Sequence, residues 1–263
     1  LNVSFTYNGE LAAPTNAGVY TVVGAIVDAN YVGSATNTLV VSRAAATIIL
    51  NNLTQTYDGT ARVVDATTVP PGINVTLTYN GSPNAPTNAG SYQVVGVVDE
   101  DLYVGIITNT LVVNKAIAEV TLNDLAQVYD GTARVVSATT EPAGLTVVIT
   151  YNGELAAPTN AGSYEVVGTV VEGNYVGSVT NTLIVIAPVP VLSIAPVGSS
   201  QVALGWNSAP NQVYQLQVAT NISSGEWMPI VPNVIATGTF TTVTNTPDVG
   251  TLQRFYRVMV IAP

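Results

Sequence analysis

Carboxylates are the residues of this chain that could do acid–base or metal chemistry, because histidine and cysteine are absent. Without histidine, a serine–histidine–carboxylate triad is excluded, and the commonest general base and metal ligand is missing. Without cysteine there is no disulfide, thiolate metal site or cysteine nucleophile. Lys115 is the single lysine, so a lysine base is nearly excluded too. We therefore predict that the chain is not an enzyme and binds no cofactor.

The acidic residues offer two candidate sites. Asp99, Glu100 and Asp101 form the densest acidic run and are the calcium candidates. Adjacent side chains on an extended backbone point in opposite directions, and the matching positions elsewhere in the chain are not triply acidic, which favours a solvated loop. Asp58 and Asp130 each precede a glycine. A catalytic role would require a second carboxylate nearby, so we expect them to form turns.

Aromatic residues are the other candidates. The recurrent tyrosines could form a binding stripe, but we expect most rings to be half-buried in a thin core with the hydroxyl at the surface. They are Tyr7, Tyr20, Tyr31, Tyr57 and their counterparts. Trp206 lies on an early strand of its domain, and we expect it in the core. Trp227 is the candidate binding residue, since an exposed tryptophan can stack on a sugar, with packing as the alternative.

The charge balance argues against two classes of partner. The net charge is −10 with six basic residues. So few cations cannot form the phosphate-neutralising stripe of a nucleic-acid-binding protein, and they disfavour binding to anionic membranes.

No apolar run approaches about 18 residues, so no membrane span is predicted. The chain opens in a strand-like pattern without a signal peptide, and we interpret it as a fragment or processed piece of a longer protein.

A repeat of 72 residues organises the chain, since Tyr7, Tyr79 and Tyr151 each open the same Tyr-Asn-Gly triplet at that spacing. The copies contain no insertions relative to one another. Full copies occupy residues 46–117 and 118–189, and residues 1–45 are the rear part of an earlier copy that lacks its opening strands. Residues 190–263 break the period and form a fourth domain, also all-β, with six predicted strands at 191–194, 201–206, 214–219, 227–231, 240–245 and 254–260.

Within a copy the apolar residues alternate with polar ones, as in 73–79, which predicts strands with one face on a core. We expect five or six strands per copy and no helix. Asp58-Gly59 predicts a hairpin between strands at 54–57 and 60–64. The links at 41–45 and 113–116 carry no Gly-Ser spacer, which favours a stiff connection.

Several spaced motifs recur in order. They are Leu53 to Thr60, Thr78 to Gly81, Pro86 to Tyr92, and Asn174 to Ser178. Together they resemble the MBG/YDG-type repeats of bacterial surface proteins, over residues 1–189. The segment 102–106 departs modestly from the fourth motif. The resemblance implies a large secreted or surface-anchored bacterial protein, often described as an adhesin, and assigns no binding residue.

The last domain resembles a fibronectin type III-like module. The residues that carry the resemblance lie at 202–206, 214–217, 221–227 and 254–258. The predicted fold class is therefore all-β, with tandem small immunoglobulin-like β-sandwich domains arranged as a rod.

These features predict a structural segment of a secreted bacterial surface protein, located outside the cell or on its surface. It would be a stalk or the subunit of an extracellular filament whose partner is another copy of itself. In a filament, a neighbouring subunit would complete the first repeat by strand addition. The other interpretation of residues 1–45 is that the natural chain extends further. The alternative function is an adhesin, with residues 190–263 as the tip that binds a surface glycan or protein.

Overall fold

A computed structural model describes residues 1–247 and 253–261 of the chain. Over these residues the protein is all-β, with 25 strands, a single 3₁₀ turn and no α-helix. The chain forms two compact units, Leu1–Ala116 and Ile117–Pro263. The prediction of an all-β chain of small sandwich domains is confirmed.

The first 45 residues form one antiparallel sheet of three strands. The strands are β1 (Asn2–Tyr7), β2 (Gly18–Val27) and β3 (Ser34–Val41), in that order. Asn8 and Gly9 have positive φ values of 47° and 90°, and the flanking residues Tyr7 and Glu10 form a bridge. This is the two-residue turn that Asn-Gly favours, and it recurs at 80–81 and 152–153.

The second copy is a two-layer sandwich. Its strands are β5 (Thr47–Asn51), β6 (Thr54–Thr56), β7 (Asp65–Val69), β8 (Thr76–Tyr79), β9 (Gly90–Asp99) and β10 (Tyr103–Asn114), and β4 (Ala44–Ala45), from the end of the first copy, pairs with β10. One sheet has the order β4-β10-β9-β8, and β6 also pairs with β10. The other layer is the β5-β7 pair. Ile48 and Leu50 of that pair pack against Val94 and Leu111 of the larger sheet to form the core.

One edge of β10 pairs with β9 in antiparallel register, whereas the other edge holds two short parallel partners. Val112 lies opposite Thr54 of β6, and Tyr103 lies opposite Ala44 of β4. The segment that enters the second copy, β4, therefore pairs with β10, which is also the strand through which the chain leaves that copy.

The third copy repeats this arrangement in the second unit. The chain passes through β11 (Ala116–Ile117), and the strands are β12 (Glu119–Asn123), β13 (Ala126–Val128), β14 (Ser137–Glu141), β15 (Val147–Tyr151), β16 (Gly162–Val170), β17 (Tyr175–Val176) and β18 (Ser178–Ile186). The larger sheet has the order β13-β18-β16-β15 and faces the β12-β14 pair.

The remaining described residues form a second kind of sandwich. Its elements are β19 (Leu192–Val197), β20 (Gln201–Asn207), β21 (Val213–Ala219), the 3₁₀ turn Ile222–Ser224, β22 (Met228–Pro229), β23 (Val234–Ile235), β24 (Phe240–Asn245) and β25 (Phe255–Ile261). One sheet is β19-β20-β24, and in the other β21 pairs with β22, β23 and β25. Trp206 is fully buried and its ring lies 5.8 Å from that of Tyr214, which confirms its predicted core position.

The hairpin predicted at Asp58-Gly59 is wrong. Thr54–Thr56 pairs with β10 rather than with the residues that follow the turn, and 60–64 form no strand. The Tyr57 amide donates to the Asn114 carbonyl (2.9 Å), which draws this segment toward the end of β10. An Asp-Gly pair predicts a tight turn, but the strand partners on either side of it are set by the rest of the fold.

Candidate functional site

The first candidate is the turn around Asp58. One oxygen of this carboxylate accepts from the Thr60 backbone N (2.9 Å) and from the Thr60 hydroxyl (2.7 Å). The other accepts from Arg62 (2.5 Å), whose guanidinium also donates to the Thr56 carbonyl (3.1 Å). The hydrogen bonds from Thr60, aided by Arg62, hold the pKa of Asp58 below its ordinary value. The Asp58 carboxylate therefore stabilises a turn, as expected.

The third copy contains the same turn at Asp130. Its carboxylate accepts from the backbone N and hydroxyl of Thr132 and from Arg134, and Arg134 also reaches the Val128 carbonyl (3.1 Å). The pKa of Asp130 is lowered, first by Thr132 and then by Arg134. Among the described residues, no group of three or more acidic side chains comes together to hold a metal ion.

The calcium candidates have other partners. Asp99 forms an ion pair with Arg43, and Glu100 accepts from the backbone N of Asn74 (3.1 Å). The counterpart of Glu100 is Glu172, which accepts from the Thr146 backbone N (3.0 Å), a bond that lowers the pKa of Glu172. Asp101 is exposed. Calcium takes six to eight oxygen ligands, and a solvated loop, with calcium as the alternative, stays the prediction for these three residues.

The recurrent tyrosines serve mainly as packing residues. The hydroxyl of Tyr79 is buried and accepts from the Val64 backbone N (3.0 Å), and Tyr151 does the same with Val136 (2.8 Å). A second set donates its hydroxyl to a loop carbonyl four residues earlier. This set is Tyr20, Tyr92 and Tyr164. Tyr31 is exposed. Most of the recurrent tyrosines are half-buried, as expected, but Tyr79 and Tyr151 are buried together with their hydroxyls, which were expected at the surface.

Trp227, the predicted binding residue, is half-buried and carries the guanidinium of Arg257 over its ring, 4.4 Å from the centroid. Nε of Arg257 donates to Gln217 (2.7 Å), and Gln217 donates to Gln215 (2.6 Å). Such an arrangement combines a cation–π contact with a fixed guanidinium orientation. Arg257 could not be predicted from the sequence, because its contact with Trp227 depends on the packing of two segments that are distant in the chain.

An apolar sheet face in residues 1–45 is the most unusual surface of the first unit. Val3 and Phe5 are 49% and 52% exposed. Their counterparts in the second copy, Val75 and Leu77, are half-buried and pack against the core to which the β5-β7 pair contributes. In a full copy, a second layer therefore covers the side chains at these positions.

The junction between the first and second copies is built from backbone hydrogen bonds. Ala44 N donates to the Leu102 carbonyl (2.8 Å), and Ala46 N donates to the Val104 carbonyl (2.9 Å). A Cβ on Gly105 would lie closer than 3.0 Å to the Ala46 carbonyl oxygen, a distance that real Cβ atoms essentially never show. The linking segment 44–46 can therefore lie this close to β10 only because residue 105 is a glycine.

Comparison with known families shows three matches to the MBG domain, at residues 1–45, 46–117 and 118–188. No curated protein sequence matches the chain.

Solved structures with tandem domains also align with the chain. A crystal structure of domains from titin aligns at 15% identity over 82% of this chain and 92% of that chain, with a TM-score of 0.28. Immunoglobulin domains 1–5 of Sidekick-1 align at 13% identity over 82% and 62%, with a TM-score of 0.29. The N-terminal eight Ig domains of Down Syndrome Cell Adhesion Molecule align at 13% identity over 97% and 49%, with a TM-score of 0.19.

Proposed function

This chain belongs to the MBG domain family, and from that membership we propose that it is a non-catalytic structural segment of a secreted or surface-anchored bacterial protein. Its tandem β-domains act as a stalk outside the cell. Repeats of this kind are typical of surface proteins. Among residues 1–247 and 253–261, no helix is long and apolar enough to cross a bilayer.

The observation that carries the stalk proposal is the junction at 44–46. A flexible spacer would leave its backbone hydrogen-bonded to water, whereas Ala44 of the first copy donates to the Leu102 carbonyl of the second, and Ala46, the first residue of the second copy, donates to the Val104 carbonyl. The ion pair between Arg43 and Asp99 adds a side-chain contact at the same place. Such a link resists bending, which is what a stalk requires.

Antibody labelling of the cells that produce the protein tests its location. Antibodies raised against the 263-residue chain are expected to label intact cells or to detect the protein in the medium. Labelling that appears only after lysis would contradict the proposal. A periplasmic marker serves as the control for leakage.

In the filament form of this proposal, the sheet of β1 to β3 binds strands of a second copy of the chain. Strands from a second copy of the chain would cover Val3 and Phe5, as β5 and β7 cover the corresponding face of the second copy. The covering pair would bury apolar surface, and a strand equivalent to β6 would add main-chain hydrogen bonds along the edge of β3.

Light scattering over a range of protein concentrations tests this assembly. We expect a rise in mass with concentration, and competition by a peptide of residues 46–72, which contains the covering strands of the second copy. The variant Phe5→Ser should weaken both effects. A single monomeric mass at every concentration would exclude self-assembly.

A second candidate function is binding of a surface glycan or protein by the last domain. It is favoured by the side chains of Trp227, Arg257 and Gln215, because the Trp227 ring, just before β22, lies against the Arg257 guanidinium, which Gln217 links to the Gln215 amide on β21. Glycans are commonly bound by such a combination of stacking and hydrogen bonding. A glycan array probed with the full chain and with Trp227→Ala distinguishes this function, since signals that survive the substitution would not come from this site.

A further inference from the structure

The two full copies share a hydrogen-bonding pattern that joins the beginning of each copy to its end. In the second copy, β6 lies parallel to the last residues of β10, with Thr54 opposite Val112 and Thr56 opposite Asn114. Val112 N donates to the Leu53 carbonyl (2.8 Å) at one end of this pairing. The Tyr57 amide closes the other end through Asn114 (2.9 Å).

The third copy has the same pattern at the same spacing. Residues 126–128 of β13 lie parallel to residues 184–186 of β18. Ile184 N donates to the Leu125 carbonyl (2.8 Å), and Tyr129 N donates to the Ile186 carbonyl (2.9 Å). The side chains differ between the copies, with Thr54 replaced by Ala126 and Val112 by Ile184. The feature common to both copies is thus the backbone pairing.

Tension along the chain acts on this pairing in a defined direction. The load enters the second copy through residues that precede β6 and leaves through Asn114, at the end of β10. Because β6 and β10 are parallel, their ends are pulled in opposite directions along the strand axis. All the hydrogen bonds between the two strands then carry the load together, whereas a pair pulled apart from one end loses its bonds one after another.

We propose that the β6–β10 pair and the β13–β18 pair are shear clamps that make each full copy resist unfolding under tension. In the second copy, the hydrogen bond from Ala46 N to the Val104 carbonyl adds a further attachment to β10 before the clamp begins. In the third copy, Ala118 N donates to the Val176 carbonyl (2.9 Å) in the same way. This function goes beyond the stalk proposal, because it concerns the response of each copy to force and holds wherever the protein is located.

Force spectroscopy of the full chain tests the clamp. A full copy releases roughly 250 Å of chain on unfolding, less its folded length. The variant Val112→Pro removes the amide that bonds to Leu53, a donor that points away from β9. We expect the unfolding rate of the second copy at a fixed force to rise by roughly 10-fold, as the loss of one or two backbone hydrogen bonds implies.

The matched control is Tyr79→Phe, which removes a buried hydrogen bond to Val64 outside the load path. This variant should lower the denaturation midpoint of the second copy while leaving its unfolding force close to that of the unmodified chain. If the unfolding forces of both variants fall in proportion to their losses of equilibrium stability, the proposal of a shear clamp is wrong.

A second measurement changes the direction of pulling and keeps the backbone intact. The chain has no cysteine, so handles can be attached to cysteines introduced by Thr56→Cys and Asn114→Cys, two exposed positions that face each other across the clamp. Pulling there peels the pair from one end, and we expect a force several-fold lower than when pulling through the chain termini. Equal forces in the two directions would overturn the proposal.

Discussion

Gly105 gives the sharpest test of the junction, because β10 and the Ala46 carbonyl lie too close for any side chain. Substitution Gly105→Ala places a Cβ within 3.0 Å of that backbone oxygen, which no side-chain rotation can relieve. The segment 44–46 must therefore move away from β10. The hydrogen bonds from Ala44 to Leu102 and from Ala46 to Val104 are then lost or lengthened.

The cost follows from these contacts. Two backbone hydrogen bonds contribute about 0.5–1.5 kcal/mol each, and overpacking adds about 1–3 kcal/mol. We expect Gly105→Ala to reduce the free energy of unfolding of the second copy by about 2–6 kcal/mol. At about 4–8 °C per kcal/mol for a domain of this size, its melting temperature falls by about 8–48 °C.

Calorimetry of the full chain measures the loss, and hydrogen exchange locates it at residues 44–46 and 102–105. Gly177→Ala should act in the same way in the third copy, where the Cβ would overlap the Ala118 carbonyl oxygen. Gly33→Ala is the matched control at the equivalent position of the first copy. A Cβ there meets the tip of the Ile26 side chain at 3.1 Å, and we expect a change within about 0.5 kcal/mol. Equal effects at Gly33 and Gly105 would refute the reasoning.

Two further predictions concern side chains inside the copies. Tyr79→Phe leaves the buried Val64 amide without its acceptor and should destabilise the second copy by about 1–3 kcal/mol, measured by denaturant titration, whereas Tyr7→Phe in the first copy should cost less. Asp58 and Asp130 have folded pKa values below the ordinary 3.8, so their stabilisation is present above that pH and is lost as the pH falls through the folded values. Melting temperatures of both full copies should therefore drop below about pH 4, and a double Asp→Asn variant that keeps the full acid dependence would contradict this assignment.

The sequence was sufficient to predict the strands and the copies, because both depend on local patterns. Alternating apolar residues mark β8, and Asn80-Gly81 ends it in the turn that this pair favours. Six strands were predicted beyond residue 190, at positions that overlap β19 to β22, β24 and β25. The strand β23 was not predicted, because a strand of two residues is too short to show alternating apolar and polar residues.

Long-range pairing could not be predicted in the same way. The partner of Thr54–Thr56 lies more than fifty residues away at the end of β10, and a local turn signal at Asp58-Gly59 suggested a nearer one. The close approach at Gly105 also depends on tertiary packing. A signal for it was present, since glycine recurs at positions 33, 105 and 177. Arg257 had no such signal, and its contact with Trp227 required the fold.

The central claim is that the repeats form a load-bearing stalk outside the cell. Electron microscopy of intact cells, with an antibody fragment that marks residues 190–263, tests it most directly. The account predicts label outside the envelope, with a narrow spread of distances from the surface. Label confined to the cell interior, or scattered over a wide range of distances as for a flexible tether, would contradict it.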